Sequence, residues 1–173
     1  MKKIYIAAYH QSKFGKLMGM TVPEILRAAV EGADIVLSVM PSDHVRRLYT
    51  EMLPWLEPRM LFVSATKGLE QRTLRRMSEV IGEVVSQRFP PRVGVLSGPT
   101  FAREVARGEP AAVVISSQDA ELARSVQQAF AGPTFRLYTN GDPIGVELGA
   151  ALKNVIAIAA GVCTGLGLGA NTL

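Results

Sequence analysis

Residues Asp34 to Met40 read DIVLSVM, and Pro41-Ser42 follow directly. The run has no apolar/polar alternation, so it reads as a strand covered on both faces, the pattern of a parallel sheet packed between helices. Pro41 ends the strand, and Ser42 is placed to open a helix through Leu53. Upstream, Lys3 to Tyr9 (KIYIAAY) reads as a shorter strand, followed by a polar, glycine-containing stretch from His10 to Met20. Thr21 then caps a helix to about Glu31, with Pro23 in the first turn and Glu24 completing a capping box, and Gly32 stops it.

The same unit repeats downstream. Met60 to Ala65 is a strand, Thr66-Lys67-Gly68 a tight loop, and Leu69 to Gln87 a helix with Leu74, Met77, Val80, Ile81, Val84 and Val85 at helical spacing. Strands follow at Val93 to Leu96, Ala111 to Ser116 and Thr134 to Tyr138, separated by helices over Thr100 to Arg107 and Asp119 to Phe130. Such alternation indicates an α/β fold with a mostly parallel sheet and helices on both faces.

Composition narrows the function. Of 173 residues, 48% are hydrophobic and 20% charged, as in an ordinary globular chain. The net charge of +4 comes from scattered residues with no interleaved aromatics, so no nucleic-acid surface is expected. The single cysteine forms no internal disulfide, and two histidines without ligand spacing give no metal site. No signal peptide is legible, which points to the cytoplasm.

The stretch from Asp142 to Ala160, DPIGVELGAALKNVIAIAA, is different. Asp142 caps it, Pro143 takes the first position, and Glu147 and Lys153 are its only charges after the cap. A helix apolar on every face is expected to be buried. It is too interrupted by Glu147, Lys153 and Asn154 for a membrane span. A buried lysine needs a partner or a task, and desolvation would lower its pKa toward that of a general base. Glu147 lies six residues earlier, off the helical face of Lys153, which weakens it as the partner.

In parallel α/β sheets, ligands sit beyond the carboxyl ends of the strands. That rule selects Pro41-Ser42, Thr66-Lys67-Gly68 and the turn from Ser97 through Ala102 as one rim. Lys67 suits an anion, Gly98 allows close backbone approach, and Thr100 opens a helix whose free N–H groups favour phosphate or carboxylate. Each has a plain reading too: a solvated lysine, turn chemistry, an ordinary N-cap.

Three segments, ATKGLE (Ala65 to Glu70), LSGPTFAREVARGEPAAVV (Leu96 to Val114) and GVELGAALKNVIAIAAGVCTGLGLGANT (Gly145 to Thr172), closely resemble bacterial NAD(P)-dependent sn-glycerol-3-phosphate dehydrogenases; GADIVLSVMPSDHVRRL (Gly32 to Leu48) is similar to the same family. The resemblance covers roughly residues 32 to 173. It implies a Rossmann-like domain over residues 32–141, the start of an all-helical substrate domain over 142–173, and NAD or NADP as cofactor. It also implies hydride transfer between NAD(P)H and dihydroxyacetone phosphate, giving glycerol 3-phosphate for phospholipid synthesis. By the resemblance, Lys153 is the proton acceptor for the C2 hydroxyl and a substrate contact. Lys67 touches both substrate and cofactor, Gly98 and Thr100 bind substrate, and Ala102 contacts the cofactor. Lys67 beside Lys153 would further depress the pKa of Lys153.

The family opens with a G-x-G-x-x-G fingerprint, and no such pattern stands before Gly32. Residues 1–31 resemble instead the opening of thiolase-like acetyl-CoA acyltransferases, without a nucleophilic cysteine to carry that chemistry. The chain is therefore expected to be a piece of the dehydrogenase, with an atypical head and a substrate domain cut short. An exposed apolar patch and self-association, as a homo-oligomer, should follow. The alternative is a non-catalytic α/β fragment, or phosphate-binding module, of the same family.

Overall fold

A computed structural model describes residues 4–7, 21–169 and 171. Six strands form one sheet in the order β1 to β6: Ile4–Ala7, Ile35–Ser38, Leu61–Ser64, Arg92–Ser97, Ala111–Ser116 and Phe135–Asn140. All neighbours pair in parallel except β4 and β5, which are antiparallel. The helices are α1 (Val22–Val30), α2 (Ser42–Met52), α3 (Met77–Val85), α4 (Ala102–Ala106), α5 (Ala120–Phe130) and α6 (Pro143–Gly165). This is the Rossmann-like, mostly parallel sheet expected, followed by one long helix.

The central strands are buried on both faces because successive side chains enter different cores. Val36 and Phe62 point into the core built with α1, α2 and α3, around Val45, Leu48, Tyr49, Met52, Val80, Ile81 and Val84. Ile35, Leu37, Leu61 and Val63 point the other way, onto Leu122 and Val126 of α5. Tyr49 and Phe62 meet edge-to-face with ring centroids 6.1 Å apart.

Local signals set most helix starts. Asp119 caps α5 by accepting the N–H groups of Glu121 and Leu122, both at 3.0 Å. Asp142 caps α6 through the N–H of Gly145 at 2.9 Å, with Pro143 in the first turn as expected. At α1 the Glu24 carboxylate accepts the Thr21 N–H at 2.6 Å and the Thr21 hydroxyl at 2.8 Å.

Four expectations are corrected. The helix read over Leu69 to Gln87 is a loop as far as Arg76, and Leu74 stands in it with φ 56°, exposed rather than on a buried face. Side chains hold that loop open: Arg46 forks onto Glu70 at 2.7 and 2.9 Å, Thr73 donates to Glu70, and Arg75 pairs with Glu83. Thr100 does not cap its helix; α4 begins at Ala102 behind Phe101 and has no side-chain cap. β6 runs to Asn140, two residues beyond Tyr138. Finally, α6 is exposed over most of its length, and Glu147 is its one buried residue. Among the described residues α6 meets β4 and β5 on one side, which leaves the expected apolar surface exposed at Val155, Ile156, Ile158 and Val162. By length and composition alone α6 could cross a membrane.

Candidate functional site at the carboxyl edge of the sheet

Register places three turns side by side. Ser38 pairs with Ser64, and Ser64 with Val95. Counting three residues onward along each parallel strand reaches Pro41, Lys67 and Gly98, so the three turns share one edge as expected. β5 runs the other way, and β6 follows β5, so the start of α6 lies at the opposite edge.

At the shared edge Lys67 is exposed, and among the described residues it makes no ion pair. Its neighbour Gly68 has φ 108°, a left-handed conformation that favours glycine. Thr66 is buried, and its hydroxyl accepts the Met40 N–H at 3.4 Å, tying the β2 and β3 turns together. α2 opens at this edge behind Pro41 with no side-chain cap; the His44 N–H donates to the Pro41 carbonyl at 3.1 Å, and the positive end of the helix dipole here favours an anion. The Ser64 hydroxyl, at the end of β3, is the one buried side-chain polar atom without a partner among the described residues. These features suit a phosphorylated, hydrogen-bonding ligand and fit a dinucleotide lying across the edge. The segment in which the family carries its glycine fingerprint, before α1, falls largely outside the described residues.

Gly98 has a structural reason of its own. A Cβ there would lie 2.7 Å from Val113 Cγ1 and 2.8 Å from the Ala112 carbonyl oxygen, so glycine is required by the approach of β5. Thr100 is exposed in the extended segment before α4, and Ala102 is the exposed first residue of that short helix.

Lys153 stands on α6, ten residues past Pro143, exposed and among the described residues without an ion pair. The burial expected for it is absent, because none of the described residues covers that side of the helix. Glu147 is not its partner. The Glu147 carboxylate is 6% exposed and accepts three hydrogen bonds at α3: from the Ser78 N–H at 2.8 Å, the Ser78 hydroxyl at 2.5 Å and Arg76 Nη1 at 2.9 Å. Arg76 also reaches Glu79 at 2.8 Å, and Glu79 accepts the Arg76 N–H at 2.9 Å, which holds the Glu79 carboxyl below its ordinary range. Sequence reasoning marked Glu147 as an odd charge but did not find Arg76 or Ser78. Nothing local announces them, since the contact spans 71 residues.

A mostly parallel sheet with helices on both faces and an anion-suited carboxyl edge defines the chain as a dinucleotide-fold protein. The family model for the NAD-dependent glycerol-3-phosphate dehydrogenase N-terminus matches residues 18–123, and that for the C-terminus of the same enzymes matches residues 142–173. The chain belongs to the NAD-dependent glycerol-3-phosphate dehydrogenase family. Among similar proteins, the glycerol-3-phosphate dehydrogenase of Koribacter versatilis is 62% identical over 154 residues, covering 89% of this chain and 46% of the relative. That of Acidobacterium capsulatum is 52% identical, covering 90% and 46%. The solved glycerol-3-phosphate dehydrogenase of Coxiella burnetii superposes with a TM-score of 0.72 at 36% identity, covering 84% of this chain and 44% of that one. The chain thus spans about half the length of the curated relatives it matches. The match from residue 18 lies partly inside the segment likened to thiolase-type acyltransferases, and the comparisons give that likeness no support.

Proposed function

We propose that this chain carries the nucleotide-binding part, and the first helix of the substrate part, of a cytoplasmic NAD(P)-dependent sn-glycerol-3-phosphate dehydrogenase, with boundaries near residues 32–141 and 142–173. Membership of the family carries the reading, and the alignment of Pro41, Lys67 and Gly98 at one sheet edge supports it.

In the oxidative direction, the Lys153 amine accepts the C2 hydroxyl proton of glycerol 3-phosphate as the C2–H electron pair leaves with its hydrogen. A nicotinamide held at this edge would supply the hydride acceptor. In the reverse direction, the Lys153 ammonium returns the proton to the carbonyl oxygen of dihydroxyacetone phosphate. Lys67 balances phosphate charge on substrate and cofactor. The backbone at Gly98 and the hydroxyl of Thr100 would orient the substrate, and Ala102 would contact the cofactor.

The test is NADH or NADPH oxidation with dihydroxyacetone phosphate, with Lys153→Ala expected to abolish it. Lys67→Ala should mainly raise KM for the phosphorylated substrate. Absence of turnover by the folded, unsubstituted chain would count against the activity.

The exposure of Lys153 favours a second reading, a module of the family that holds a phosphorylated ligand without turning it over. Calorimetry separates the two, because tight NADH binding is expected only of the first.

A further inference from the structure

The Glu147 carboxylate ties α6 to the start of α3, a contact that the fold of the sheet does not explain. We infer that Glu147 is a positioning residue that seats α6, and through it Lys153, against the α/β body; the functional half of this inference rests on the oxidoreductase reading above.

The geometry carries it as follows. α6 also meets β4 and β5, but every other described residue along it is only half-buried or exposed. Asp142 ties its first turn: the Asp142 N–H donates to Asn140 Oδ1 at 2.5 Å, and Asp142 Oδ1 accepts the Gly145 N–H at 2.9 Å. Glu147 supplies a second fixed point, five residues later and on another structural unit. Its carboxylate takes the Ser78 N–H, an N–H of the first turn of α3 that no residue of α3 itself satisfies. Negative charge is favourable at that helix terminus, and Arg76 adds a charge-assisted bond from outside the helix. Two points about 7 Å apart along the axis define both the direction of α6 and its rotation. Lys153 lies six residues further, about 9 Å along the same rigid helix, so its placement follows from theirs. Loss of the second point leaves α6 free to swing about Asp142, and Lys153, about 16 Å along the helix from that pivot, is displaced with it.

The test uses spin labels at Arg124→Cys on α5 and Ala157→Cys on α6, both exposed positions, in a Cys163→Ser background. One narrow distance distribution is expected with Glu147 present, and a broad one with Glu147→Ala while the helical circular dichroism is kept. Glu147→Gln retains a carbonyl oxygen for the Ser78 N–H and should restore much of the narrowness. A distribution unchanged by Glu147→Ala overturns the anchor. In the NADH assay, Glu147→Ala should lower kcat about tenfold to a hundredfold, more than it changes KM, as expected for a displaced catalytic group. Full kcat alongside a broadened distribution overturns the positioning role. If the unsubstituted chain shows no turnover, the oxidoreductase reading fails by itself, and the distance measurement still decides whether Glu147 seats the helix.

Discussion

Gly98 and Val113 face each other across the antiparallel β4–β5 junction so closely that a Cβ on Gly98 would lie 2.7 Å from Val113 Cγ1 and 2.9 Å from Val113 Cα. Two of the three obstructing atoms are backbone, so they cannot rotate away. Gly98→Ala is therefore expected to cost about 1–3 kcal/mol by overpacking. Gly82→Ala, in α3 with nothing within 4 Å of the new Cβ, should instead stabilise by roughly 0.5–1 kcal/mol. Urea unfolding midpoints of the two variants should move in opposite directions.

Ser38 and Tyr49 share a buried hydrogen bond of 2.5 Å between β2 and α2. Burial pushes the Tyr49 hydroxyl well above its ordinary pKa, so it stays protonated. Tyr49→Phe leaves the Ser38 hydroxyl buried without a partner, at a cost of about 1–3 kcal/mol. The double change Ser38→Ala, Tyr49→Phe removes both polar groups and should be less destabilising than Tyr49→Phe alone. Equal or greater loss in the double variant would refute this account.

Acid sensitivity should centre on Glu70. The fork from Arg46, followed by the Thr73 hydroxyl, holds its carboxyl down to about 2. A depressed carboxyl contributes stability that is fully present above its unfolded value of roughly 4.3 and is lost as pH falls through its folded value. Glu70→Gln should thus be less stable than the unsubstituted chain at neutral pH, with the deficit shrinking between about pH 4.3 and 2. Urea midpoints across that range report it, and a deficit independent of pH would sink the assignment.

The outer face of α6 should drive association. Val155, Ile158 and Val162, at i, i+3 and i+7, lie on one face and are 61%, 69% and 56% exposed. Contiguous apolar surface of this kind seeks a partner. Sedimentation is expected to show concentration-dependent association that Val155→Glu with Ile158→Glu abolishes. A chain that stays monomeric at every concentration would contradict it.

Much of the fold was legible in the sequence because its signals are local. The runs DIVLSVM, MLFVSA and AAVVIS lack polar alternation, and a strand between two cores requires that. Asp119 and Asp142 announce their helices because an N-cap acts on the next three residues. The candidate site was legible as a set of turns, since strand ends in a parallel sheet fall on one edge whatever the details. The loop from Leu69 to Arg76 was not. Its helical spacing was genuine, but Arg46 on α2 captures Glu70 and draws the segment out of the helix.

What the sequence by itself determined is therefore the order and type of the elements, the two-sided burial of the sheet and the family. Each follows from periodicity, caps and motif residues that act over a few positions. Only the tertiary structure decided that Gly98 serves a strand crossing, that α6 lies largely uncovered, and that Glu147 belongs to Arg76 and Ser78 rather than to Lys153. The physical reason is common to all three: packing and hydrogen-bond partners are chosen by proximity in space, and these partners are far apart in the chain.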